Sequence, residues 1–145
     1  MLSLTLFLLL LQHDHKHHDE VDRKGDAIMG FSHQKTIHRF QDTKTGGIIE
    51  ATTKAKDDAE QRNAIQRHFQ QIAKAFPQGD FSMPLAIHDR LPDGAAEMKT
   101  AGAAIQYRYE ALSNGARLHL VTKDAVALAA IHRFLAFQRS EHRAH

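Results

Sequence analysis

The residues best suited to chemistry lie close together near the N-terminus, where six of the twelve histidines fall between His13 and Phe40. Carboxylates are interleaved with them, first in the run HDHKHHDE and then at Asp22 and Asp26. Imidazole is the commonest protein ligand for zinc and copper, and carboxylates also ligate divalent ions. The chain has no cysteine, which excludes thiolate sites. The segment therefore predicts a histidine-based site for copper or zinc.

A helix from about Lys16 to Met29 would position the first candidate ligands, because Gly30 follows as a typical C-terminal stop. In that helix His18 and Asp22 lie side by side, since residues four apart share a face. His17 lies on the neighbouring face with Val21. The pattern leaves two interpretations open, a pair of metal ligands or a solvated ion pair on the helix surface.

A period-two pattern then predicts a β-hairpin over Thr36–Thr53, with its turn in the sequence KTGG. Phe40 and Ile49 should face the core, and His38 must point the same way because it is two residues from Phe40. A buried imidazole needs a polar partner. That partner is either a backbone carbonyl or a bound ligand.

The segment QGDFSMPLAIHDRLPD, residues 78–93, reads as a long irregular connection with two prolines. His88 lies inside its apolar part. If a metal site forms, we expect His33, His38 and His88 to converge, with their ring nitrogens within about 3 to 4 Å of one another around the ion.

Two methionines accompany these histidines, in the sequences MGFSHQKTIH and MPLAIH. Thioether and imidazole together would favour copper, although Met29 and Met83 are equally compatible with filling gaps in the core. The metal hypothesis as a whole assigns six ligands: His17, His18, Asp22, His33, His38 and His88.

The two halves of the chain repeat one unit, a hairpin followed by a helix. IHRFQDTKTGGIIEATTK precedes a helix with AIQRHF, and IQYRYEALSNGARLHLVTK precedes a helix with AIHRF, at an offset of 65 to 69 residues. The repeat predicts an α+β fold of the duplicated type ββα-ββα. We expect a four-stranded antiparallel sheet with two long helices on one face, preceded by the histidine-rich helix.

Aspartates mark the starts of both long helices. Asp57 and Asp58 are suitable N-caps for a helix that runs to about Phe76, and Asp124 for a helix that runs to the C-terminal region. The final residues, RSEHRAH, are polar, and the pattern predicts a frayed tail.

Length and composition are those of one globular domain, residues 13–145. A net charge of +2 argues against a nucleic-acid partner. Residues 1–12, MLSLTLFLLLLQ, contain an apolar run far shorter than the roughly 20 residues that span a bilayer. We interpret this run as a truncated signal peptide; the alternative is an apolar helix or strand of the fold.

The sequence HDEVDRKGDAIMGFSHQKTIHRF resembles the opening of an uncharacterised family of small exported bacterial proteins. The resemblance continues through GDFSMPLAIH and ALAAIHRFLAFQ. It implies a periplasmic or secreted location and a shared fold, but no activity.

The chain contains no HExxH, GxSxG, P-loop or dinucleotide-binding motif, which argues against the enzyme classes that use them. The leading hypothesis is an exported metal-binding or metal-buffering protein. Two alternatives remain: a metal-independent envelope module that binds a small molecule, and an enzyme in which Asp26 forms an acid–base pair with His33 or His38. No pattern in the sequence indicates an oligomeric state.

Overall fold

A computed structural model describes residues 2–143, with side chains from residue 14 onward. It has the predicted α+β fold, a four-stranded antiparallel sheet with strand order β1-β2-β4-β3. The strands are β1 (Thr36–Thr43), β2 (Gly46–Thr53), β3 (Ile105–Leu112) and β4 (Gly115–Thr122). The α-helices are α1 (Leu2–Met29), α2 (Ala59–Ala75), α3 (Ser82–His88), α4 (Ala95–Ala101) and α5 (Ala125–Glu141).

The two hairpins are joined symmetrically through their second strands, β2 and β4. At one end the Thr53 amide donates to the Asn114 carbonyl, and at the other the Thr122 amide donates to the Thr45 carbonyl, both at 2.8 Å. Each second strand therefore ends on the turn of the other hairpin, at the same sequence offset of 69 residues. The duplication that the repeat predicted is confirmed by this arrangement.

Both long helices begin at the predicted caps. The side chain of Asp58 accepts a hydrogen bond from the Gln61 amide, and that of Asp124 accepts one from the Ala127 amide, which satisfies amides that have no partner within the helix. Both helices bury an apolar stripe against the same face of the sheet. The buried side chains of the core include Phe40, Ile49, Ile65, Phe69, Ile72, Leu118, Leu120, Ile131, Phe134 and Leu135.

Each helix also closes the turn of the opposite hairpin. Gln66 of α2 donates to the Leu112 and Gly115 carbonyls at 3.1 Å, and His132 of α5 donates through Nε2 to the Thr43 and Gly46 carbonyls at 3.0 and 2.9 Å. Because its Nε2 must carry a proton to make these bonds, His132 has a structural role in the hairpin.

The helix α1 ends at Met29 as predicted, and Gly30 adopts the left-handed conformation with φ of 81° that such stops require. The predicted start near Lys16 is wrong, because the helix already begins at Leu2. The run Leu4–Leu11 consists largely of leucine, a strong helix former, and no breaker separates it from the histidine-rich part. Within residues 2–143, no helix combines the length and hydropathy needed to cross a bilayer.

The expectation of an irregular connection over residues 78–93 is wrong in its centre, where α3 forms. Asp80 accepts a hydrogen bond from the Ser82 amide at 2.9 Å, and Pro84 stands in the first turn, where a missing N–H is tolerated. The prolines of this segment therefore do not prevent a helix from forming. His88 is the last residue of α3 and is buried.

The predicted fraying of the C-terminal tail is also wrong as far as residue 143; Ala144 and His145 lie outside the described residues. The helix α5 continues to Glu141, and Arg139 donates to the Phe40 carbonyl at 2.8 Å. Arg143 forms an ion pair with Asp22 of α1 at 2.8 Å. These contacts with distant elements order a segment whose own composition favours solvent.

Candidate functional site

All six predicted ligands lie around the C-terminal end of α5. His17 Nε2 is 2.6 Å from Glu141 Oε2, and His18 Nδ1 is 3.0 Å from the Glu141 carbonyl oxygen. Asp22 accepts from Arg143. His18 and Asp22 thus lie along one helix as predicted, but each takes a partner from the end of α5.

His33 lies between two carboxylates. Its Nδ1 is 3.1 Å from both oxygens of Asp26, its backbone amide donates to Asp26 Oδ1 at 2.9 Å, and its Nε2 is 3.3 Å from Asp22 Oδ2. The structure therefore pairs Asp26 with His33 and not with His38. Because both ring nitrogens already face carboxylates, His33 is not free to ligate a metal without losing one of these contacts.

The centre of the site is His142, the residue that follows α5. Its ring centroid lies 5.0 Å from that of His88 and 5.9 Å from that of His38. It also stacks on Phe40, with centroids 5.8 Å apart and ring planes 20° apart. His38 and His88, which the sequence predicted to converge, are therefore brought to the two sides of a third imidazole.

A fourth imidazole, His68 of α2, joins this group through Phe31. The Phe31 ring lies 5.5 Å from His38 and 5.7 Å from His68, centroid to centroid. We call His38, His68, His88 and His142 the histidine cluster. Three of its members come from β1, α2 and α3, and the fourth from the turn after α5.

Sequence reasoning missed two members of the histidine cluster. His68 lies at the border of the apolar stripe of α2, a position typical of a packing residue, and it is only 7% exposed. His142 was assigned to the frayed tail. The sequence does contain a signal for the position of His142. The buried stripe of α5 runs through Ile131, Phe134 and Gln138, and the next position on that face, four residues further on, is His142.

Within the described part of the chain, three nitrogens of the cluster are buried without a hydrogen-bond partner: His38 Nε2, His68 Nδ1 and His88 Nδ1. The Nε2 of His88 is 3.2 Å from Gln138 Oε1, so it carries the proton and leaves Nδ1 as a bare lone pair. A buried polar atom without a partner costs about 1 to 3 kcal/mol. Three such atoms in one small region are an arrangement that a ligand would relieve.

Burial also keeps these imidazoles uncharged. It lowers the pKa of His38 and of His68 to about 4, and that of His142 to about 3. It lowers the pKa of His88 as well, against the opposing effect of Glu141. Neutral imidazole is the form that ligates metals, so the histidine cluster is held in its ligating state at neutral pH.

Comparison of the chain with family models, with curated proteins and with solved structures finds no match. The function therefore has to be inferred from the chemistry of the site.

Two pockets flank the histidine cluster, and they differ in character. The apolar pocket, of about 60 Å³, contains His68, His88 and Met83 among apolar side chains. It has room for ordered water but is far smaller than the roughly 300 to 1,000 Å³ of sites that bind drug-sized ligands. The polar pocket, of about 290 Å³, is lined by Asp22, His33, Thr36, Ile37, His38, Lys54, His142 and Arg143.

Among residues 14–143, no three histidine or carboxylate side chains already surround a common point that could hold a metal ion. The predicted direct approach of His33, His38 and His88 is not formed in this arrangement. His38 and His88 each pack against the ring of His142, while His33 is held by Asp22 and Asp26. Bringing three nitrogens to one ion would require rotation of side chains within the cluster.

Proposed function

We propose that this protein binds one copper or zinc ion through the histidine cluster, with His38, His88 and His142 as ligands. The observation that carries the proposal is the set of buried, uncharged imidazoles whose nitrogens lack partners. A metal ion held by this ligand set would supply the missing partner to His38 Nε2 and His88 Nδ1 at once. The proposal keeps His38 and His88 from the sequence-based ligand set and adds His142.

The spacing of the rings supports this ligand set. Imidazole nitrogens lie about 2.0 to 2.1 Å from zinc, which places each ring centroid about 3 Å from the ion and tetrahedral neighbours about 5 Å apart. The observed separations from His142 are 5.0 Å to His88 and 5.9 Å to His38. Two of the three ring pairs therefore already have about the spacing that one ion requires, and the side chains of His38 and His88 would have to move towards each other to complete the site.

Neighbouring side chains would orient and extend this site. Gln138 Oε1 accepts a hydrogen bond from His88 Nε2, which fixes the orientation of the imidazole and leaves Nδ1 as the nitrogen that can bind a metal. Hydrogen-bond partners of metal-ligating histidines commonly orient them in this way. Glu141 Oε2 lies 3.9 Å from His88 Nδ1 but is already in contact with His17 Nε2 at 2.6 Å, so the fourth position on the ion is left open. Met83 shares the apolar pocket with His88, and its thioether would favour copper over zinc.

The proposal predicts that the metal-free full-length chain binds one equivalent of zinc or copper by calorimetry. His142→Ala should weaken binding by more than about tenfold, equivalent to 1.4 kcal/mol, because it removes the central ligand. The matched control is His119→Ala, since His119 lies on the other face of the sheet and pairs with Glu110 at 2.6 Å. This control should bind as the unmodified protein does.

Circular dichroism would first establish that both variants are folded. Equal losses in His142→Ala and His119→Ala would contradict the proposed ligand set. Retention of binding in His142→Ala together with its loss in His17→Ala/His18→Ala would assign the metal to the N-terminal tract alone. In that case the protein would bind metal only loosely, as short histidine-rich tracts do.

An exported location is part of the same proposal. It rests on the apolar run Leu4–Leu11 and on the resemblance described above to small exported bacterial proteins. When the full chain is produced in a Gram-negative host, it should be recovered by osmotic shock together with a periplasmic marker enzyme. Recovery only with cytoplasmic markers would contradict export and would leave the metal-binding proposal untouched.

A further inference from the structure

The polar pocket opens directly onto the proposed metal ligands. His38 and His142 form part of its wall, so an ion held by them would be reached from this pocket. Zinc sites with three protein ligands keep a fourth position for a solvent molecule or a substrate. The polar pocket is where such a fourth ligand would enter.

The charges around the polar pocket favour an anion. Lys54 and Arg143 are its cations and Asp22 is its carboxylate. With every imidazole counted as neutral, two positive charges against one negative give a net charge of +1, and a divalent ion would raise it to +3. Histidine ligands, unlike carboxylates, leave the charge of the metal uncompensated, so an anionic ligand would complete the site.

The donors and the walls of the polar pocket indicate the type of anion. Arg143 already binds the carboxylate of Asp22 through Nη2 at 2.8 Å, and Lys54 uses one of its ammonium hydrogens on the Gln34 carbonyl at 2.7 Å. Both side chains keep further N–H donors. Ile37 is 38% exposed and supplies an apolar wall. With about 290 Å³, the pocket suits a small molecule.

We infer that the polar pocket binds a small monocarboxylate, with its carboxylate between the metal ion and Arg143 and its apolar part against Ile37. This inference rests on the proposed metal binding. It adds the class of ligand and a residue, Arg143, that binds the ligand without touching the metal. The planar guanidinium matches a planar carboxylate through paired hydrogen bonds.

The test uses the full-length protein loaded with Co²⁺, whose visible spectrum reports the ligands around the ion. Acetate and propionate are added as probes, and inorganic phosphate is added in parallel. We expect a saturable spectral change with both carboxylates, at lower concentration for propionate because its extra methylene would contact Ile37. Arg143→Gln should raise the dissociation constant for propionate about tenfold and leave the affinity for Co²⁺ within about twofold.

Arg133→Gln is the matched control, because Arg133 is also a partly exposed arginine of the C-terminal region and pairs with Glu97 at 3.3 Å, away from the pocket. It should behave as the unmodified protein. If Co²⁺ binds but its spectrum does not change when either carboxylate is added, this inference alone is overturned. Tighter binding of phosphate than of propionate, or equal effects of the two arginine variants, would overturn it as well. Failure of Co²⁺, Zn²⁺ and copper to bind would overturn the proposed function together with it.

Discussion

Acidifying the metal-free protein from pH 7 to pH 5 is expected to lower its free energy of unfolding by about 2 kcal/mol for each of three histidines of the cluster. These are His38 and His68, whose pKa is lowered to about 4, and His142, whose pKa is lowered to about 3. Their summed effect, about 6 kcal/mol, is comparable to the whole stability of a small domain. The protein should therefore unfold in mild acid.

Acid lowers the free energy of unfolding because the unfolded chain takes up more protons than the folded protein. In the unfolded chain these imidazoles titrate near 6.5, while in the folded state burial keeps them unprotonated down to about pH 4. Between these values the unfolded chain binds more protons, so stability rises with pH. The stabilisation is complete above about pH 7 and is lost as the pH falls from 6.5 towards 4.

The charges that face these rings partly oppose the effect of burial without cancelling it. Asp22 and Asp26 raise the pKa of His38, whereas His33 lowers it, and His38 in turn lowers that of His68. The pKa of His142 is lowered further by four neighbouring imidazoles: His88, His38, His18 and His33. The pKa of about 4 for His38 is therefore the balance between burial, which lowers it, and the two carboxylates, which raise it.

Urea unfolding in the presence of a chelator, at pH 7, 6 and 5, would measure this effect. In the steep part of the range, His68→Leu should reduce the pH dependence by up to about 1.4 kcal/mol per pH unit, because one titrating group is removed. His119→Gln, on the outer face of the sheet, should change it little. A free energy of unfolding that stays constant from pH 7 to pH 5 would refute the prediction.

The fold could be predicted because its signals are local. The alternation of Thr36–Thr53 determines the register that pairs Phe40 with Ile49, and this register turns His38 inward. Asp58 and Asp124 mark helix starts by a hydrogen bond that reaches only three residues along the chain. Such patterns can be interpreted without knowledge of the tertiary structure.

The complete site could not be predicted in this way, because its centre depends on contacts between distant segments. The position of His142 depends on contacts across more than 100 residues: its ring stacks on Phe40, and His17 Nε2 lies 2.6 Å from Oε2 of the neighbouring Glu141. Neither pair has a sequence signature. The contacts of His33 with Asp22 and Asp26 likewise change it from an expected ligand into the partner of two carboxylates, and the contacts of His142 make the turn after α5 the centre of the histidine cluster.

The second large effect is expected for Phe40→Ala, which should lower the free energy of unfolding by about 3 to 5 kcal/mol because it leaves a cavity in the core. Phe40 is 9% exposed and lies opposite Ile49. It is also the ring on which His142 stacks and lies 6.5 Å from His38, centroid to centroid. The substitution thus removes core packing and the support of two proposed ligands.

Arg39→Ala is the matched control, one residue away on the opposite face of β1. The Arg39 side chain is 54% exposed and forms an ion pair with Glu50 at 2.8 Å, which Arg117 also contacts. Glu50 therefore keeps a cationic partner in this variant, and the loss should stay below about 1 kcal/mol. Urea melts at pH 7 would compare the two variants, and calorimetry under conditions where both are folded would compare their metal affinities. Equal destabilisation of the two variants would mean that the β1 register is shifted by one residue. If Phe40→Ala is destabilised but binds metal as tightly as the unmodified protein, the proposal that His142 is a metal ligand is contradicted.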